Sequence, residues 1–257
     1  MRIAVAGGTG RLGRHVVDVL TEAGHEAVPM SRTTGVDVVT GEGLAEALAG
    51  ADCLIDAATG PSPVRDEAAA FFTASAANLQ RAAEQAGVPR AVVVSIIGVD
   101  KLTTSYGAAK LDQEKAWLDG PLPVRILRAD LFHEFVPPVM EWGRQGDVVY
   151  VQSSRRRPVA ARAVAETLAA YATAVDAPDR LEVAGPRVED AADLAATLVA
   201  RTGDPARVEA VSASADDPDG LLYEAGRILP GPDAVVAGPS FAEWLATADG
   251  SQATGTT

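Results

Sequence analysis

Short apolar runs alternate along this chain with longer stretches in which apolar residues recur every three or four positions. Each short run predicts a buried strand, and each longer stretch predicts a helix with one face on a core. Arg2–Ala6 is the first such run. It leads into a helix over Leu12–Ala23, with Leu12, Val16, Val19 and Leu20 on one face and Gly24 as its stop. Strands follow at Glu26–Met30, Val36–Val39 and Cys53–Ala57, with a helix over Gly43–Ala49 before the last of them. A long Ala-rich helix over Asp66–Ala86 then leads to a strand of β-branched residues at Ala91–Ser95, a helix over Tyr106–Leu118 and a sixth strand at Val124–Leu127.

Strands that alternate with helices predict an α/β fold, a doubly wound parallel sheet of Rossmann type with helices on both faces. After Asp130 the rhythm changes. Phe132–Trp142 is aromatic and holds Pro137-Pro138, Val148–Val151 reads as a strand, Ala163–Val175 as a helix, and Arg180–Val183 as a strand returning to the sheet. Two more helical patterns flank a Pro- and Asp-rich stretch within residues 189–248. The expected division is therefore a dinucleotide-binding domain over residues 1–130 with the strand near 180–184. A smaller α+β substrate-binding, capping portion follows over 131–248, and a polar, disordered tail over 249–257.

Composition narrows the partners. The chain has 257 residues, 47% of them apolar, and a net charge of −13 at pH 7. An acidic surface disfavours nucleic acid and anionic lipid. The single cysteine, Cys53, forms no internal disulfide, and the three scattered histidines have no metal spacing. No leader or membrane-length apolar segment is read, so the expectation is a cytoplasmic protein, monomeric or homodimeric, acting on a small molecule.

The chemistry begins at the end of the first strand, in Gly7-Gly8-Thr9-Gly10-Arg11-Leu12-Gly13. Gly7, Gly10 and Gly13 stand between a strand and a helix, the context in which such a loop binds a dinucleotide. The pattern supplies a tight turn, a close backbone approach to the pyrophosphate and close helix–strand packing. The second strand ends at Ser31-Arg32, with no carboxylate there to bind a ribose 2′-hydroxyl. A guanidinium fork suits a 2′-phosphate instead, so the expected cofactor is NADP(H). Asp37 and Val38 at the third strand's end are placed against the adenine. Ala57, Ala58 and Thr59 are small residues where the cofactor lies close.

Ser95 closes the fifth strand on the edge where ligands bind in such sheets. Downstream, Tyr106 and Lys110 are four apart on one helix face. An ammonium beside a phenol, together with a cationic nicotinamide, favours the phenolate and lowers its pKa. The tyrosine can then hand a proton to a carbonyl oxygen while hydride reaches the carbon. In this reading Ser95 holds the same oxygen, and Lys110 also bonds the nicotinamide ribose.

The opening GGTGRLGRHV, the segment VVVSIIGVD over 92–100, YGAAK over 106–110 and ILRADLFHEF over 126–135 make the chain resemble the short-chain dehydrogenase/reductases. More narrowly it resembles their atypical, NmrA-like NAD(P)-binding branch, to which PVAARAVAETL and the C-terminal FAEWLA also fit. The resemblance implies that Ser95, Tyr106 and Lys110 are the catalytic residues. It also implies that residues 127–130, Leu127 and Ala129 among them, line the nicotinamide side. That branch includes members that bind the cofactor without turning it over. The expected function is NADPH-dependent reduction of a carbonyl or related group, with Tyr106 as proton donor. A non-catalytic NADP(H) sensor and a nucleotide-sugar epimerase are the alternatives.

Two features admit two readings each. Phe132, His133, Phe135 and Trp142 form either a wall and polar handle for a flat substrate or part of a core. Arg155-Arg156-Arg157 is either a clamp for an anion or a solvated turn that discourages strand pairing.

Overall fold

The computed structural model describes residues 1–247, so the expected tail over 249–257 lies outside the described residues. The chain divides into two compact units, one of residues 1–128 and 164–181, the other of 129–163 and 182 onwards.

In the first unit, β1 (Arg2–Ala6) feeds α1 (Gly13–Glu22), β2 (Glu26–Met30) and a short α2 (Leu44–Leu48). Then come β3 (Cys53–Asp56), α3 (Arg65–Ala86), β4 (Ala91–Ile96), α4 (Tyr106–Leu118) and β5 (Val124–Ala129). The four residues of β3 and the first five of β4 are all buried. Strands covered on both faces need continuous apolar sequence rather than alternation. β1 pairs in parallel with β2 and with β3, and β3 pairs in parallel with β4. Among the described residues the parallel sheet has seven strands, in the order β12-β9-β5-β4-β3-β1-β2, where β9 is Arg180–Ala184 and β12 is Val235–Val236. This is the Rossmann-type sheet the alternation predicts. The chain leaves β1 for β2 on one side and returns to β3 on the other, so the topological switch point falls between β1 and β3. The one thiol, Cys53, is buried at the start of β3, and burial raises its pKa to about 11.

One expected strand is missing. Residues 36–39 do not join the sheet: Val36 and Val38 are buried, but the Asp37 carboxylate accepts the N–H groups of Val39 at 2.7 Å and Thr40 at 3.2 Å. Its backbone carbonyl accepts Gly41 N–H at 2.8 Å. These bonds close a turn whose buried valines imitate strand alternation.

The second unit contains α5 (Val136–Gly143), β6 (Arg144–Gln145), β7 (Val148–Gln152), β8 (Arg155–Arg156) and the start of α6 (Ala161–Thr173). It continues with β10 (Glu189–Asp190), α7 (Ala191–Thr202), β11 (Arg207–Val211), α8 (Pro218–Glu224), β12 and α9 (Phe241–Trp244). β7 runs parallel to β11 and antiparallel to β6, and β8 pairs with β10. The arginine run is structural rather than solvated. Arg156 is bound to the buried Asp130 at 2.6 Å and lies 4.4 Å over the Tyr223 ring, and Arg157 donates its Nε–H to Gly185 O at 2.9 Å. Arg155 alone is exposed.

Candidate functional site

The glycine loop is built by its own backbone. Gly7 N–H donates to Met30 O at 2.9 Å, tying the end of β1 to the end of β2, and Gly10 N–H donates to Gly7 O at 2.8 Å. A Cβ on Gly13 would lie 2.0 Å from Gly7 O, so only glycine lets α1 start this close to the strand end. Gly10 is different. A Cβ there would meet Gly7 O alone, at 3.1 Å, so the position is tight against its own loop and uncrowded by other elements. The start of a ten-residue helix with no side-chain cap and a positive dipole end fits a pyrophosphate. Gly8 and Leu12 are buried, whereas Thr9 and Arg11 are exposed.

After β2, Ser31 is extended and begins a 3₁₀ turn over Arg32–Thr34. Ser31 Oγ and Thr33 Oγ1 are 2.8 Å apart, and Thr33 Oγ1 donates to Thr9 Oγ1 at 3.5 Å. The hydroxyl cluster thus joins the second loop to the glycine loop. The Arg32 side chain is exposed, and among the described residues nothing pairs with it. The end of β3 closes in from the other side: Ala57 N–H donates to Ala6 O at 3.0 Å, and Ala58 is buried while Thr59 is exposed. Gly7, Arg32 and Ala57 therefore stand on loops that follow β1, β2 and β3. Asp37 and Val38 stand in the turn described above, where the carboxylate is engaged by its own backbone. Leu127 and Ala129 are buried within β5.

The second half of the site is on β4 and α4. Ser105 caps α4 by accepting Gly107 N–H at 3.1 Å. Ser95 is 3% exposed and its Oγ has no hydrogen-bond partner. A buried hydroxyl left unsatisfied costs free energy unless a ligand or water completes it. Tyr106 is half-buried and packs edge-on against Phe72 at 5.7 Å between ring centroids. Lys110, one turn on, is 4% exposed. Its ammonium donates to Val94 O at 2.6 Å and to Gln113 Oε1, and it sits 4.6 Å over the Phe72 ring.

Behind this lysine is a carboxylate that sequence reading passed over. Asp56 is fully buried at the end of β3. It accepts Gln113 Nε2–H and Trp117 Nε1–H, both at 2.9 Å, and Ala58 N–H at 3.1 Å. The available signal is an acidic residue closing the apolar strand Cys53–Asp56 just before the small-residue turn Ala57-Ala58. Burial pushes the Asp56 carboxyl up and pulls Lys110 down to about 8, each partly offset by the other's charge. Tyr106 departs from expectation. Burial, then the negative charge of Asp56, raise its phenol to about 12 rather than lowering it. The ammonium meant to lower it is turned toward Val94 and Gln113, so the phenol stays protonated at neutral pH.

The aromatic residues of the second unit separate. His133 is fully buried, with its ring 5.3 Å from both Phe241 and Trp244 and its Nε2 3.1 Å from Pro239 O. Burial holds its pKa down at about 4, so it is a neutral core residue rather than an open acid–base handle. Trp142 is 67% exposed and meets Phe135 edge-on at 5.9 Å. Phe132 is half-buried and bridges to Val159.

Residues 7–122 match the NAD(P)H-binding family. Among solved structures, the NADPH-dependent quinone oxidoreductase QOR2 of Escherichia coli, complexed with NADPH, superposes with a TM-score of 0.71 at 18% identity, covering 95% of this chain and 98% of that one. MoeE5, in complex with UDP-glucose and NAD, gives 0.69 at 19% identity over 96% and 97%. The triphenylmethane reductase of Citrobacter sp., complexed with NADP(H), gives 0.63 at 19% identity over 100% and 96%. No curated protein matches the sequence. Among the described residues no helix is long and apolar enough to cross a membrane.

Proposed function

We propose that this chain, which belongs with the atypical short-chain dehydrogenase/reductases of the NmrA-like, NAD(P)H-binding kind, is an NADPH-dependent oxidoreductase that reduces a carbonyl or related group of a small molecule. The observation that carries the reading is the buried, unpartnered Ser95 hydroxyl on the strand that α4 packs against, with Tyr106 and Lys110 on that helix. A buried hydroxyl with no protein partner is available to a ligand oxygen.

Bound NADPH supplies a hydride; the chain's residues supply the rest. The glycine loop and the start of α1 hold the pyrophosphate, and Arg32 with Ser31 holds the 2′-phosphate. Two of Lys110's three donors are taken by Val94 and Gln113, which leaves one N–H for a ribose hydroxyl. Ser95 Oγ–H bonds the substrate oxygen, and Tyr106 gives that oxygen its phenolic proton as the carbon is reduced. A phenol held protonated is the form that a proton donor requires.

The capture of Lys110 by protein groups favours a second reading, an NADP(H)-binding sensor without turnover. NADPH oxidation followed against a panel of quinones, aldehydes and ketones separates the two. Turnover by the wild type that falls about 100-fold or more in Tyr106→Phe supports the reductase. Tight NADPH binding with no turnover on any member selects the sensor.

A further inference from the structure

We propose that Asp56, acting through Gln113, positions Lys110: the carboxylate holds the amide, and the amide aims the ammonium along β4. The inference rests on the reading of Lys110 as a cofactor-binding group. It adds two residues that neither the glycine loop nor the YGAAK segment contains.

Three observations carry it. The first is a continuous chain of hydrogen bonds. Asp56 Oδ2 accepts Gln113 Nε2–H at 2.9 Å, Gln113 Oε1 accepts from Lys110 Nζ, and Nζ also donates to Val94 O at 2.6 Å. The donor–acceptor order fixes the amide's orientation. An ammonium only donates, so the carbonyl of Gln113 must face Lys110 and its NH₂ end faces Asp56. The second is charge. The carboxylates whose charge reaches Lys110 are Asp56 and Glu114. Glu114 already binds Arg128 through both oxygens at 2.9 and 2.8 Å. Asp56 is the carboxylate left to support the ammonium, since Phe72 from α3 offers only a ring face, β4 offers the Val94 carbonyl and Ser95, and Tyr106 is a neutral phenol. The third is economy of bonding. Asp56 binds Ala58 N–H at 3.1 Å, so one side chain ties the small-residue turn after β3 to the lysine on α4. Without the carboxylate, a buried ammonium surrounded by a carbonyl, an amide and a ring would be driven to lose its proton.

The chain contains three lysines, Lys101, Lys110 and Lys115, so selective ¹³C labelling at lysine Cε gives a spectrum in which Lys110→Met assigns the buried signal. In Asp56→Asn the Lys110 titration midpoint is expected to fall by about one pH unit. It is expected to fall also in Gln113→Met, which leaves Asp56 bound to Ala58 and Trp117 and carries the test if Asp56→Asn does not fold. Trp117→Phe removes a donor from Asp56 without touching the link to Lys110 and leaves the midpoint in place. NADPH affinity, measured at each pH, follows the midpoint in the same variants. An unchanged Lys110 midpoint in both Asp56→Asn and Gln113→Met overturns the proposal, as does a shift of the same size in Trp117→Phe. If Lys110→Met binds NADPH as well as wild type while the midpoints move as expected, it is the cofactor role of Lys110 that fails and the positioning role that stands.

Discussion

The loop after β2 and the first turns of α4 each present one cation to the proposed cofactor, and they do so in opposite ways. Arg32 stands exposed on a 3₁₀ turn with no partner among the described residues. Lys110 is buried and held by a carbonyl, an amide, a ring face and, one residue behind, a carboxylate. An exposed guanidinium costs the fold nothing and contributes only when a phosphate is present. A buried ammonium must be supported whether or not a ligand arrives. Discrimination between cofactors is therefore expected at the first site, and orientation at the second.

The comparison is broken or sharpened by removing each cation in turn. Arg32→Ala should weaken NADPH binding about 10- to 100-fold, the range of a charge-assisted contact, and leave NADH binding nearly unchanged. Titration calorimetry with both cofactors reads the two losses, and equal losses would remove Arg32 from 2′-phosphate recognition. Lys110→Met should cost about 10-fold with NADPH and NADH alike, because a ribose hydroxyl is common to both. A loss confined to NADPH would reverse the assignment of the two cations.

The smallest effect is on stability. Lys110 titrates near 8 in the fold against an ordinary value of 10.5, so between these values the unfolded chain binds more protons than the native one. Stability attributable to this group therefore rises with pH through that window, and it falls as the pH drops toward 8. Between pH 8 and 9 the difference in slope between wild type and Lys110→Met should be about 1 kcal/mol per pH unit, measured by urea denaturation. Arg32→Ala should show the wild-type slope, and a change there would mean that the exposed cation is coupled to the fold after all.

The same contrast explains what the sequence made legible. Strand and helix positions through β1, α1, β3, α3, β4 and α4 follow from apolar runs and helical spacing, and the glycine loop follows from its place between β1 and α1. The turn at 36–39 reads as a strand because Val36 and Val38 are apolar two apart, while the bonds that decide it come from the Asp37 side chain. The support of Lys110 was not legible at all. α4 buries polar residues, Gln113 and Glu114 among them, so it lacks the one-sided pattern that reveals a partner. Asp56 and Gln113 are 57 residues apart in the chain, and only the return of β3 beside β4 brings them together. His133 was open to two readings because an aromatic cluster looks the same in a wall and in a core until its neighbours, Phe241 and Trp244, are known.

The placement of Cys53 gives the molecule a built-in clock. The thiol is sealed at the head of β3, three residues before Asp56, and its raised pKa keeps it from forming the reactive thiolate. A thiol reagent reaches it through local opening around that strand. The rate of alkylation therefore reports on opening at the head of the strand whose far end holds the buried carboxylate.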